Sequence, residues 1–487
     1  MAERNSSLSQ PRVLATEQLH LLRRLTYGVN EQALADFHSA GSPTAWLNRQ
    51  LSPALITDTQ ADAIASWFPR LADSAPQAWD NAKRQEVPSW EYGLQFAQWT
   101  TARRVVSRRQ LLEVMTDVWS NLLYIPVGED RSFPWRMDFD RVIRANALGT
   151  YRALLRAAVV HPAMSGWLNN SVNTKHGINE NLGRELLELY TVGAASGYTE
   201  DDVKNSARIL TGFKVKVFDG YQASYSPDDH WTGPVQVLGF SHHNTNPDGR
   251  AVVNAYLDYL ARHASTAAKI ARRLCVRFVS DDPPADIINA VATAYRTSDT
   301  SIGAALKAMV GHPQFASSVG GKVRTPIEDV VNAMRVCELT PTGVGHADAL
   351  IRQSIWMAQG LGQYMHSWPR PDGFPETSST WASAARVLRG WDVHLAIAAG
   401  GWGAREFSTP PKAQQLPTSW PMTLAQIVDH QARMLLGRPA QPTEIDSVAW
   451  MLLLDRGHTF ASADDFNDWY WVLVRTSLLN TPEGIVR

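Results

Sequence analysis

Apolar residues recur three and four positions apart over most of this chain, the spacing of helices that bury one face. It predicts helices over 18–27, 44–51, 90–119, 141–160, a pair within 179–212, then 251–261, 266–278, 285–294, 302–310 and 327–337. One stretch breaks the period. Residues 213–218 alternate, Asp219-Gly220 suits a two-residue type I′ turn, and 221–225 alternate again, which predicts a β-hairpin. Residues 408–421 hold four prolines and no helical period, and helices resume over 423–436, 443–455 and 463–479. The expected architecture is mainly α: a multi-helical bundle with a small inserted hairpin at about 213–225. It comprises a main domain over 1–407, a Pro-rich linker over 408–422, and C-terminal helices over 423–487 that pack on the main domain.

The segment 179–193 concentrates the candidate chemistry. At about 100° per residue, Leu182, Leu186, Leu189 and Tyr190 share an apolar side, and Asn181, Glu185 and Glu188 form a polar stripe along its border. Two carboxylates one turn apart suit general acid–base work or metal ligation. The same residues have a plainer use, since Glu180, Arg184 and Glu188 at i, i+4 spacing would ion-pair along a solvated face. Asn179 is the expected N-cap and Gly193 the left-handed C-terminal residue; Thr199 with Asp202 caps the next helix and Gly212 ends it.

Histidines offer a second group. His230 and Trp231 follow the hairpin, with His242 and His243 further on, amid Asp228, Asp229 and Asp248 in loop-like sequence. Loops on a rigid scaffold are where sites usually sit, and His230 is the preferred acid–base residue. The alternatives are turn contacts for the aspartates and exposed polar roles for His242 and His243. His161-Pro162 is echoed by His312-Pro313 and, without the proline, by His263. This recurrence favours a helix-end cap over a catalyst at His161. Trp356, Trp368, Trp381, Trp391 and Trp402 cluster around loop sequence at 369–376, either to wall a pocket or to knit helices together.

Composition narrows the partners. Forty-six basic and 47 acidic residues leave a formal charge of −1, which gives no electrostatic case for nucleic acid or an anionic membrane. With two cysteines, no secretory leader pattern and no run of eighteen apolar residues, the sequence reads as cytoplasmic. Phosphate-loop, dinucleotide, serine-esterase and His-Glu-x-x-His motifs are missing, so those mechanisms have no support.

Several runs resemble the bacterial family catalogued as "domain of unknown function 1800": 20–28, 161–164, 179–189, 197–200, 207–213, 277–284, 322–328 and 368–375. The resemblance implies a mostly helical protein, often secreted, whose gene commonly neighbours one for a sulfatase-like family. It brings no reaction. It also implies histidine at positions that hold Leu122, Tyr124, Asn146 and Tyr190 here, so this chain is a divergent member lacking several of the family's usual histidines.

Two readings follow. In the first the protein is a biosynthetic or degradative enzyme acting on a small or ring-bearing substrate in a pocket between the glutamate helix and the His230 loop. Glu185, Glu188, His230 and His161 are its catalytic candidates, and Arg184, Asn181, Trp231 and Tyr190 its substrate contacts. No metal or cofactor is expected, the alternative being a divalent metal near His230 and His242. In the second reading the chain is a catalytically reduced scaffold or partner subunit for a sulfatase-like protein.

Overall fold

The helix at Pro326–Val336 lies at the centre of the molecule, and every one of its residues is buried. Thr325 and Glu328 close a capping box at its start, and Pro326 occupies the first turn, where its missing N–H costs nothing. Around it pack the helices Ser89–Val106, Ala349–Gly360, Ala384–Ala399, Leu424–Leu436 and Pro482–Ile485. The computed structural model describes residues 13–341, 349–401 and 408–487; the expectations for Trp402 and the N-terminal segment fall outside them.

The chain is mainly α, with three two-stranded antiparallel ladders among the described residues. Two long expected helices are each divided. The stretch 90–119 becomes Ser89–Val106 and Gln110–Leu122, separated where Asp58 accepts from the Ser107 hydroxyl at 2.6 Å and the Arg108 N–H at 2.9 Å. The stretch 141–160 becomes Arg136–Asn146 and Tyr151–Val159, with Thr150 capping the second through the Ala153 N–H. Local hydrogen bonding by polar side chains ended these helices although the apolar period ran on.

The hairpin forms over Phe213–Val215 and Ala223–Tyr225, one residue out of the expected register. Val215 pairs with Ala223, and Phe218, Gly220 and Tyr221 all take positive φ. Tyr221 explains the shift: it is fully buried against Trp79 and Phe133, and its hydroxyl donates to the Asp130 carbonyl at 2.7 Å. Burying one aromatic ring is worth about 2 kcal/mol, enough to override an ideal Asp-Gly turn. A second hairpin, Val235–Val237 with Phe240–His242, turns tightly through Leu238 and Gly239 in sequence expected to be loop.

The C-terminal helices Leu424–Leu436, Pro442–Leu452 and Asp468–Leu479 contribute Leu435, Val448, Val474 and Leu478 to the same continuous core as Leu22 and Leu186. The preceding proline-rich stretch is anchored: Leu416 is fully buried, Lys412 pairs with Asp468 at 3.0 Å, and Met422–Thr423 pairs with Thr459–Phe460. Arg487 reaches back to Glu328 in the central helix.

Candidate functional site

The glutamate segment is an α-helix only over Asn181–Glu185; over Leu186–Tyr190 it widens into a π-turn. The extra residue rotates the register, so that Leu182, Leu186, Leu187 and Tyr190 are buried while Leu189 is only half-buried. The Thr191 hydroxyl donates to the Leu186 carbonyl at 2.6 Å and the Gly193 N–H to the Leu187 carbonyl at 2.9 Å, which satisfies groups the widened turn releases. Gly193 has φ +87° with ψ 155°, a positive φ outside the left-handed helical region expected for it; Gly197 takes that region instead. Glu180 takes the N-cap position, and Asn179 accepts from the Asn181 N–H at 3.1 Å. Gly183 admits the next helix, Glu200–Ile209, at a distance no Cβ would tolerate, 2.8 Å from the Ala207 nitrogen.

Arg184 binds both Glu200 oxygens, at 2.9 and 2.6 Å, and Glu180 at 3.2 Å. It therefore ties the two helices together, as the ion-pair alternative required for Glu180, and its guanidinium is already engaged. Glu188 accepts from the Tyr198 hydroxyl at 3.2 Å. Glu185 differs from both. Its carboxylate has no hydrogen bond or ion pair among the described residues. Burial, then the neighbouring Glu188 charge, raise its carboxyl above the usual carboxylate range.

Beside these carboxylates stands Lys269, from the helix Ala264–Phe278, which sequence reading missed. Its ammonium donates to the Glu188 carbonyl, and burial followed by the Arg273 charge lowers its pKa to about 8. The signal lay in the spacing: Lys269, Arg273 and Arg277 fall at i, i+4, i+8 and form one basic stripe. Tyr190 is buried next to Glu185 with its hydroxyl toward Met164 Sδ, and its carbonyl accepts from Tyr151. The Asn181 side chain is half-buried.

His230 is placed elsewhere. It is 1% exposed, with Nδ1 3.1 Å from the Thr211 carbonyl and Nε2 3.0 Å from Asn244 Oδ1. It thus pins the loop to the end of the Glu200–Ile209 helix, and no hydrogen bond, ion pair or ring contact joins it to Glu185 or Glu188. Trp231 lies under the Arg208 guanidinium at 4.6 Å. His242 is exposed and accepts from the Asn244 N–H at 2.8 Å. Among the described residues no three His, Cys, Asp or Glu side chains gather as metal ligands.

His161 is an N-cap: Nδ1 accepts from the Ala163 N–H at 3.1 Å, and Nε2 faces Asp138 at 3.2 Å. His263 and His312 cap in the same way, at 3.2 and 3.3 Å. The recurrence in sequence therefore marks the start of the following helix rather than the end of the preceding one. Of the tryptophans, Trp368 and Trp381 flank Phe374 at 5.2 and 6.3 Å, whereas Trp356 and Trp391 are exposed.

The basic stripe leads inward to a buried ion network. Arg277 pairs with Glu328, with Glu376 at 3.3 Å and with Asp117 at 3.8 Å; Arg487 also pairs with Glu328. Burial alone would raise the Glu328 carboxyl, yet Arg277 and Arg487 outweigh it and hold it at about 2. A cavity of about 30 Å³ adjoins the network, lined in part by Arg104, Asp117, Asn121, Tyr124, Gln363 and His366.

Fold and site together define a mainly helical protein that carries a half-buried, unpaired carboxylate beside a lysine of depressed pKa. The chain belongs to the family described as "Protein of unknown function (DUF1800)", whose model matches residues 20–483. No curated protein and no solved structure matches it. No helix among the described residues is long and apolar enough to cross a membrane.

Proposed function

We propose that the protein is an enzyme that transfers a proton on a small or ring-bearing substrate at the Glu185–Glu188 turn, in a biosynthetic or degradative reaction. The single observation that carries this reading is the unpaired Glu185 carboxylate beside Lys269, two titratable groups whose pKa values are pushed toward each other. In this reading Glu185 takes the proton as general base, and the Lys269 ammonium donates to the oxygen on which negative charge develops. Glu188, held by Tyr198, adds to the field that raises Glu185. Arg184 and His230 hold the site's supporting elements rather than the substrate. Phe374, flanked by Trp368 and Trp381, follows closely on Asp372, whose charge reaches Glu185; this aromatic group suits a ring-bearing substrate.

The test is metabolite profiling of a bacterial extract incubated with the wild-type protein, with Glu185→Gln and with Lys269→Arg. Expected is a set of conversions that Glu185→Gln abolishes while its circular dichroism stays native. The rate should fall as Lys269 loses its proton near pH 8, and Lys269→Arg should move that limb upward. Conversions equal in wild type and Glu185→Gln would overturn the reading. A second reading, a non-catalytic partner of a sulfatase-like protein, is favoured by the engagement of Arg184, His161 and His230 in structural contacts. It predicts no conversion by any form, and co-purification with the sulfatase-like protein that Glu185→Gln leaves intact.

A further inference from the structure

The cavity beside the ion network has hydrogen-bond donors in its lining that meet no acceptor among the described residues. Gln363, 7% exposed, accepts from the Ile327 N–H at 3.1 Å, and its amide Nε2 has no partner among the described residues. The Tyr124 hydroxyl accepts from the Trp368 N–H at 2.5 Å, and its own proton has no acceptor among the described residues. His366 is 6% exposed, and its Nε2 is buried with no partner among the described residues. Its backbone lies at φ +54°, a conformation uncommon outside glycine, although histidine adopts it more readily than most residues. Burial, then the Arg136 and Arg104 charges, hold its imidazole far below the usual value, so the ring is neutral near pH 7.

The lining itself carries two guanidinium groups and two carboxylates, which pair. Asp117 is paired with Arg104 at 2.5 Å, and Glu376 with Arg277 at 3.3 Å and Asn121 at 3.1 Å. Arg136, outside the lining itself, is 3% exposed, has no carboxylate within 4 Å among the described residues, and leaves Nε and Nη1 without a partner among them. Its guanidinium lies 4.2 Å from the centre of the Phe96 ring, the same ring that His366 meets at 5.1 Å. A buried cation that the Asp140 charge opposes only from beyond 4 Å, behind a set of unused donors, is the complement of an anion.

We propose that this cavity binds the carboxylate group of an organic acid, which accepts from Tyr124, Gln363 and His366 in the field of Arg136. A single water needs about 10–15 Å³ of such space, so a cavity of about 30 Å³ takes the two oxygens of a carboxylate, and it is partly open, so that the rest of the acid would lie outside it. Its donors are distinct from Glu185 and Lys269, although Phe374 lines the cavity as well.

Calorimetry and melting of the full chain, with sodium acetate, benzoate, sulfate and chloride at one ionic strength, test it. Acetate should bind and raise the melting temperature above that in chloride. Tyr124→Phe with Gln363→Leu should weaken acetate by at least about tenfold, the loss of hydrogen bonds to a charged group. Tyr124→Phe alone, which keeps the ring, gives the same direction if the double variant does not fold. Benzoate binding more tightly than acetate assigns the carboxylate to a larger ring-bearing molecule, and the reverse assigns it to a free small acid; either supports the site. Acetate no better than chloride, sulfate tighter than acetate, or affinity unchanged in the variants would overturn it. Glu185→Gln should leave acetate binding unchanged, so a failure here and a failure of the proposed reaction are told apart.

Discussion

Two groups of charges sit along one helix and are built on opposite terms. At the Arg277 end, carboxylates and guanidinium groups are buried together, with Glu328 against Arg277 and Arg487, and Glu376 against Arg277 and Asn121. At the Lys269 end, the Glu185 carboxylate is half-buried and unpaired, and its pKa is raised where that of Glu328 is lowered. A paired buried charge is costly to break, because removing one partner strands the other; an unpaired one costs stability and is a candidate for another role. The contrast separates the part of the charge pattern that specifies the fold from the part that is a candidate for chemistry.

The largest expected effect lies at the paired end. Glu328 joins the capping box of the central helix to two arginines, one of them Arg487 at the end of the chain. Glu328→Gln leaves Arg277 and Arg487 short of a counter-charge in the core and should cost about 3–5 kcal/mol in urea unfolding. A loss below about 1 kcal/mol would mean that the network is not what holds the central helix.

Acid titration should show the same contrast with opposite signs. Glu328 has a folded value of about 2 against 4.5 when unfolded. Its contribution is therefore full above pH 4.5 and is lost as pH falls through about 2, on the order of 3 kcal/mol in all. Glu185 is raised, so its contribution is full below the unfolded value and is lost as pH rises through the folded one. Comparing unfolding free energies of wild type and Glu328→Gln from pH 5 to 2 checks this: the acid-dependent slope should shrink in the variant.

How much of this was legible in sequence depends on what each residue's role required. The capping box at Thr199 and Asp202 was readable because it is local, and it forms with bonds of 3.2 and 2.8 Å. Helix 302–310 was readable because its period is uninterrupted. The π-turn was not, since apolar spacing assumes 3.6 residues per turn and gives no sign of an inserted residue. Lys269 was overlooked because its importance comes from packing against a segment some eighty positions away. His230 was misplaced for the same reason: loop sequence around it suggested a residue reaching the glutamate helix, whereas Thr211 and Asn244 hold its ring. Glu328 and Glu376 were visible as residues, but not the arginines that would meet them.

A smaller effect separates capping from chemistry. His161→Ala removes the side chain that accepts from the Ala163 N–H and should cost about 1 kcal/mol, whereas His161→Asn, which restores an acceptor, should recover most of it. Neither change should abolish a conversion that depends on Glu185. Loss of conversion in a His161→Asn protein of native stability would extend the chemical region to that helix.

The smallest change in stability is the most telling. Glu185→Gln keeps the shape of the side chain and removes a charge that is partly desolvated and unpaired, so nothing in the folded protein is left without a partner. Near pH 7 its melting temperature should equal that of wild type or exceed it slightly, since repulsion from Glu188 is relieved. Arg184, already bonded to Glu200 and Glu180, does not depend on Glu185 and offers no route to a large loss. A drop comparable with that of Glu328→Gln would place Glu185 among the structural charges and erase the distinction between the two ends of the stripe. An unchanged melting temperature together with lost conversion is the pattern that only the unpaired end can give.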